Sequence, residues 1–143
     1  MSKFKFILML LLLACRMGYA SPLLTQQDTA QGVTIAVTPG SLDEESVTWE
    51  FAVAFHSSGR PLQDDLLQAA VLIAAGQRLQ PVAWDGEGPT LAHHRAGILK
   101  FVAPHAMPEQ LEFQLQRRGE ARPRTFRWDF RGWFALAPFA PQD

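Results

Sequence analysis

From Val47 to Phe55 a large apolar residue stands at every second position: Val47, Trp49, Phe51, Val53 and Phe55, with Thr48, Glu50, Ala52 and Ala54 between them. A period of two belongs to an extended strand with one buried face, because successive side chains point to opposite sides of the chain. The rhythm recurs at Val33, Ile35 and Val37, at Leu111, Phe113 and Leu115, and at Phe126, Trp128 and Phe130. Val71 to Ala74 and Gly97 to Val102 read as further strands. Leu79 to Trp84 reads as one more, interrupted at Pro81, which favours a sheet edge. Gly76-Gln77 reads as a turn. Asp64 to Ala70 suits one or two helical turns, since Leu66, Leu67 and Ala70 share a helical face and Asp64 and Asp65 stand at its N-terminus. No helix is long enough to cross between parallel strands. The predicted fold is therefore all-β: an antiparallel immunoglobulin or fibronectin type III sandwich of about seven strands.

The N-terminus follows another logic. Lys3 and Lys5 precede the apolar run Phe6 to Ala14, and Gly18-Tyr19-Ala20 puts small residues where a signal peptidase reads them. Nine apolar residues fall well short of the roughly 20 that span a bilayer. An export signal over residues 1–20 is expected, then a flexible polar lead-in over 21–31, the sandwich over 32–131 and an apolar tail over 132–143. Leu12-Leu13-Ala14-Cys15 also has the form of a bacterial lipobox, so lipid attachment at Cys15 is the alternative processing route. Only that route would tie the protein to a membrane. Cys15 is the sole cysteine, so the folded domain has no disulfide, thiolate nucleophile or cysteine-zinc site.

Removing Lys3, Lys5 and Arg16 with the leader leaves 10 basic against 14 acidic groups, a formal charge of −4. Such a chain has no global attraction to nucleic acid or anionic lipid. The basic groups crowd the last hairpin, at Arg117, Arg118, Arg122, Arg124, Arg127 and Arg131. Phe126 and Trp128 alternate with them and point into the core, so the arginines read as a solvated strand face, not a nucleic-acid platform.

The densest cluster of reactive side chains runs through Trp84, Asp85 and Glu87 to His93, His94 and Arg95. Leu62, Asp65 and Leu66, then Pro81, Trp84 and Gly86, then His93, His94, Arg95, Gly97, Leu99 and Phe101 give the series Leu-x-x-Asp-Leu, Pro-x-x-Trp-x-Gly and His-His-Arg-x-Gly-Ile-Leu-x-Phe. The chain resembles in this a family of small exported bacterial and archaeal proteins of unknown function, over roughly residues 33 to 130. The resemblance implies a sandwich domain and no activity. The chain departs from the family pattern where His56-Ser57-Ser58 replaces Asp-Thr-His and where Ala92 replaces a glycine before the histidine pair. No role is carried over onto His56.

Two readings of the cluster compete. In one, His93, His94 and Asp85 hold a divalent transition metal, with Glu87, Asp65, Asp64, His56 or His105 as further donors. Neighbouring strand residues face opposite ways, so this needs a backbone turn at the histidines. In the other, which the residues favour, no cofactor is bound: an imidazole packs or donates to a carbonyl, Trp84 belongs to the core, and Arg95 bridges Asp85, Glu87 or Asp65 to pin the loop. Catalysis has little support. His56-Ser57-Ser58 lacks a nucleophile elbow, the Asp64-Asp65 side chains diverge, and there is no phosphate-binding glycine loop. The function expected is that of a non-catalytic binding or accessory module of the bacterial cell envelope, contacting an envelope protein or other component through Asp65, Trp84, Asp85, Glu87, His93, His94 and Arg95. The alternative is a periplasmic metal-binding protein.

Overall fold

The structure is a computed structural model and describes residues 24–40, 42–88, 91 and 93–130. The leader with Cys15, Arg131 and the tail from 132 onward lie outside the described residues. The order is β1 (Gln26–Ala30), β2 (Val33–Pro39), β3 (Thr48–Ser57), the helical turn α1 (Leu66–Ala69), β4 (Ala70–Ala74), β5 (Gln77–Leu79), β6 (Pro81–Gly86), β7 (His94–Val102), β8 (Gln110–Leu115) and β9 (Arg124–Asp129). One sheet runs β1-β2-β3-β7-β6 and the other β5-β4-β8-β9. Every neighbouring pair is antiparallel.

The strand order is that of an immunoglobulin domain. There, strands A, B, E and D form one sheet, and C, F and G form the other, extended in some versions by C′. Here β2, β3, β7 and β6 take the A-B-E-D places, β5, β4, β8 and β9 take C′-C-F-G, and β1 is an extra strand outside A. Strands B and F, which antibody domains join by a disulfide, meet here through aromatic rings. Phe51 of β3 and Phe113 of β8 lie 5.6 Å apart, with Phe101 edge-on to Phe51 at 5.6 Å. Around them the inward residues of both sheets, Val33, Ile35, Val37, Trp49, Val53, Phe55, Leu72, Leu99, Leu111, Leu115, Phe126 and Trp128, are buried in one cluster.

Four expectations need correction. The polar segment before Val33 contains a strand, β1, whose residues alternate between the seam of the two sheets and solvent. Gln26 closes that seam: its side-chain carbonyl accepts from the Arg127 N–H at 3.0 Å, and its amide donates to the Arg127 carbonyl. A side-chain amide thus imitates a neighbouring peptide along the edge of β9, and the polar composition that suggested a loose lead-in serves this pairing. Secondly, Leu79 to Trp84 is two strands: the chain leaves one sheet after Leu79 and enters the other at Pro81, where a first residue on an edge strand needs no N–H. Thirdly, the turn before β5 is Ala75-Gly76. Like Gln31-Gly32 between β1 and β2, it has positive φ at both residues, 50° then 75°, as a two-residue hairpin of the I′ type requires. The described residues accordingly hold nine strands rather than seven. Lastly, Val47 is 80% exposed, so the buried face of β3 begins at Trp49.

Candidate functional site

One end of the sandwich collects the turn at 31–32, the loop 58–65 with α1, Glu87, Gly88, Leu91 and His93 between β6 and β7, and the loop 116–123. In immunoglobulin terms these include the B–C and F–G loops, the end that carries the binding loops of antibody variable domains. A crevice of about 650 Å³ opens there between the 58–65 and 116–123 loops, its rim formed by Arg60, Gln63, Asp65, Gln68 and Arg118 and its floor by Asp64, Arg117 and Glu120.

The floor is a chain of buried ion pairs. Arg117 donates to Asp64 Oδ2 through Nε at 3.2 Å and Nη2 at 3.0 Å, and Nη2 also reaches the Pro61 carbonyl at 3.0 Å. Glu120 takes a bidentate pair from Arg124, Nε to Oε1 and Nη2 to Oε2, both at 2.8 Å. Its Oε2 lies 3.6 Å from Arg117 Nη1. Arg124 continues to the carbonyls of Val33 at 2.9 Å and Ala30 at 2.8 Å, and to the Asp28 carboxylate at 3.2 Å. Charges leave water only where pairing and hydrogen bonds replace hydration. Here four charged side chains, Asp64, Arg117, Glu120 and Arg124, are each less than a tenth exposed. The hydrogen bond from Arg124 is the main cause holding the Glu120 carboxyl below its usual range, against the opposing effect of burial. The same bond holds the Arg124 guanidinium more firmly protonated.

This corrects the solvated-face reading of the last hairpin. Arg124 has the parity of Phe126 and Trp128, and Arg117 that of Phe113 and Leu115, so both turn inward, whereas Arg118, Arg122 and Arg127 are exposed. Sequence reading missed Asp64, Arg117, Glu120 and Arg124 as a unit. The available signal was an arginine on the buried beat of an alternating strand.

The structure divides the residues singled out from sequence. Arg95 turns into this end of the sandwich, donates from Nη1 to the Asp64 carbonyl at 2.7 Å, and lies 5.2 Å from the Trp84 ring centre in cation–π geometry. It anchors a loop, but the loop is 58–65 and the acceptor is main-chain oxygen, not the carboxylate of Asp85, Glu87 or Asp65. Asp65 is the N-cap of α1, accepting from the Leu67 N–H at 3.1 Å. Asp85 sits on the outer face of its sheet, paired with Lys100 at 2.9 Å. Glu87 extends the β6–β7 ladder, its N–H donating to the Ala96 carbonyl at 2.8 Å. Trp84 is half-buried and packs against the core.

His93, His94 and Asp85 do not converge. Asp85 pairs with Ile98, four residues along β7 from His94, about 13 Å at the rise of a strand. Among the described residues no group of three or more His, Cys, Asp or Glu side chains is placed to hold a metal ion. His93 lies in the loop beside Leu91 and residues 59–63, while His94 turns to the outer face of the sheet. The Ser57 hydroxyl donates to the Arg60 carbonyl at 2.6 Å and the Ser58 hydroxyl to the Gly32 carbonyl at 3.2 Å.

No family model matches the chain, and no curated protein matches it. Among solved structures it is similar to the secreted protein MPT63 of Mycobacterium tuberculosis, at 14% identity and a TM-score of 0.42, covering 74% of this chain and 90% of that one.

Proposed function

We propose that this is an exported, non-catalytic binding module of the bacterial envelope, and that its contact surface is the crevice between the 58–65 and 116–123 loops. The observation that carries the reading is the contrast between floor and rim. Asp64, Arg117, Glu120 and Arg124 satisfy one another beneath the surface, which fixes the backbone of both loops. The rim above presents Arg60 and Arg118, which carry no ion pair among the described residues, beside Gln63 and Gln68. A rigid frame under adaptable polar and cationic side chains is what recognition of a partner's acidic groups requires. Loops at this end of an immunoglobulin sandwich are a common place for binding, and that part of the reading is an analogy of fold.

The test is association of the purified mature protein with the envelope fraction, followed by co-sedimentation. Replacing Arg60 and Arg118 together by Glu should reduce retention at least tenfold while the melting temperature stays within a few degrees. Equal retention of wild type and variant would overturn the reading. Export follows from the leader: the mature chain from a bacterial membrane and periplasmic preparation should begin at Ser21, or carry lipid at Cys15, and its intact mass distinguishes the two.

A further inference from the structure

On the face of the five-stranded sheet that points away from the core, His56 of β3 and His94 of β7 stand directly opposite one another. The next pair along, Ser57 and His93, exchanges a backbone hydrogen bond, Ser57 N–H to the His93 carbonyl at 2.9 Å. In an antiparallel ladder the hydrogen-bonded and non-hydrogen-bonded pairs alternate, so His56 and His94 occupy a non-hydrogen-bonded pair, the kind whose side chains come closest. Their ring centres are 4.5 Å apart, with the planes inclined at 49°. His94 Nδ1 is screened from solvent and has no hydrogen-bond partner, which is unusual for a ring nitrogen in that position.

The geometry points to a two-imidazole site for a divalent transition metal, with Cu(II) bound most tightly. An ion about 2.0 to 2.1 Å from an imidazole nitrogen lies about 3.2 Å from the ring centre. Two rings bound cis at a right angle then have centres about 4.5 Å apart, and two bound at the tetrahedral angle about 5.2 Å. The observed separation matches the right angle, the cis arrangement of tetragonal Cu(II) and Ni(II), and the affinity order of the divalent series places Cu(II) first. Two imidazoles are held side by side on one antiparallel ladder, so binding needs a turn of the rings toward the ion but no reorganisation of the loops. Water fills the remaining positions. Of His93, His94 and Asp85 only His94 takes part; its partner is His56, one of the further donors that the sequence offered, brought opposite it on the neighbouring strand.

The site is on the sheet face and independent of the crevice, so the two readings stand or fall separately. The test is titration of the untagged mature protein with Cu(II), Ni(II) and Zn(II), with electron paramagnetic resonance of the Cu(II) form. One Cu(II) per chain should bind tighter than about 0.1 mM, in the order Cu over Ni and Zn, with hyperfine structure from two nitrogens. His56→Gln and His94→Gln should each weaken binding at least tenfold, and His93→Gln and His105→Gln should leave it unchanged. The spectrum of the wild-type protein alone carries the test if a variant fails to fold. Absence of Cu(II) binding in this range, a spectrum with fewer than two nitrogens, or binding lost in His93→Gln but kept in His56→Gln would overturn the assignment.

Discussion

Asp64 serves two arginines at once: its carboxylate receives Arg117 from one sheet, and its main-chain carbonyl receives Arg95 from the other. A single residue of the 58–65 loop therefore ties the two sheets at the crevice end, beside the tie that Arg124 of β9 makes to β1 and β2. Removing the carboxylate leaves the buried Arg117 with only Glu120, at 3.6 Å, and the Pro61 carbonyl; breaking a buried ion pair costs about 3 to 5 kcal/mol. Asp64→Ala should destabilise by about that amount in chemical denaturation. Replacing both partners by apolar residues should recover much of the loss, because the pair's own net contribution is small once desolvation is counted.

Arg95→Ala removes a charged donor from the Asp64 carbonyl and the cation from above Trp84. A hydrogen bond to a charged group is worth about 1.5 to 3 kcal/mol, so the melting temperature should fall by several degrees. His93→Ala removes an exposed side chain and should change stability by less than about 0.5 kcal/mol. Equal small shifts from both would contradict the anchoring role.

Acid should loosen the crevice floor. The Glu120 carboxyl is held low chiefly by its hydrogen bond from Arg124. A group with a depressed folded-state pKa stabilises above its unfolded value, here near 4.5, and loses that stabilisation as pH falls further, through the folded value. Stability measured against pH should therefore decline below about pH 4.5, and Glu120→Gln should flatten that decline while lowering stability at neutral pH.

Gly97 faces Gly86 across the β6–β7 ladder. A Cβ there would stand 2.4 Å from the Asp85 carbonyl oxygen and 2.8 Å from both the Gly86 Cα and the Trp84 ring. The first two are backbone, so β6 must move. Gly97→Ala should cost about 1 to 3 kcal/mol by overpacking, and Trp84 emission should shift to the red as its ring is displaced. An unchanged spectrum and stability would mean that β6 does not pack this closely.

How much of this was legible in the sequence depended on whether the signal was local. Trp49 to Phe55, Leu111 to Leu115 and Phe126 to Phe130 each state their buried face within a few residues, and the all-β sandwich follows from them. Asp65 was legible as a helix start because a cap acts on an N–H two residues away. Arg95 was legible as an anchor but not its partner, since an arginine can take main-chain oxygen, which every residue offers. Gln26, Arg117 and Arg124 were opaque for the opposite reason. Glu120 is local to both arginines, but the partners that turn these side chains into the fold lie 53 to 101 residues away in sequence, and polar composition at a sheet seam looks the same as polar composition in solvent.

The central claim is that the crevice between the 58–65 and 116–123 loops is where a partner docks, and site-specific photo-cross-linking in the exporting cell tests it most directly. A cross-linking side chain placed at Gln68 or Arg118 should give one discrete adduct, and the same group at Gln77, at the far end of the sandwich, should give none. Adducts of equal yield from both ends, or none from the crevice, would contradict the account.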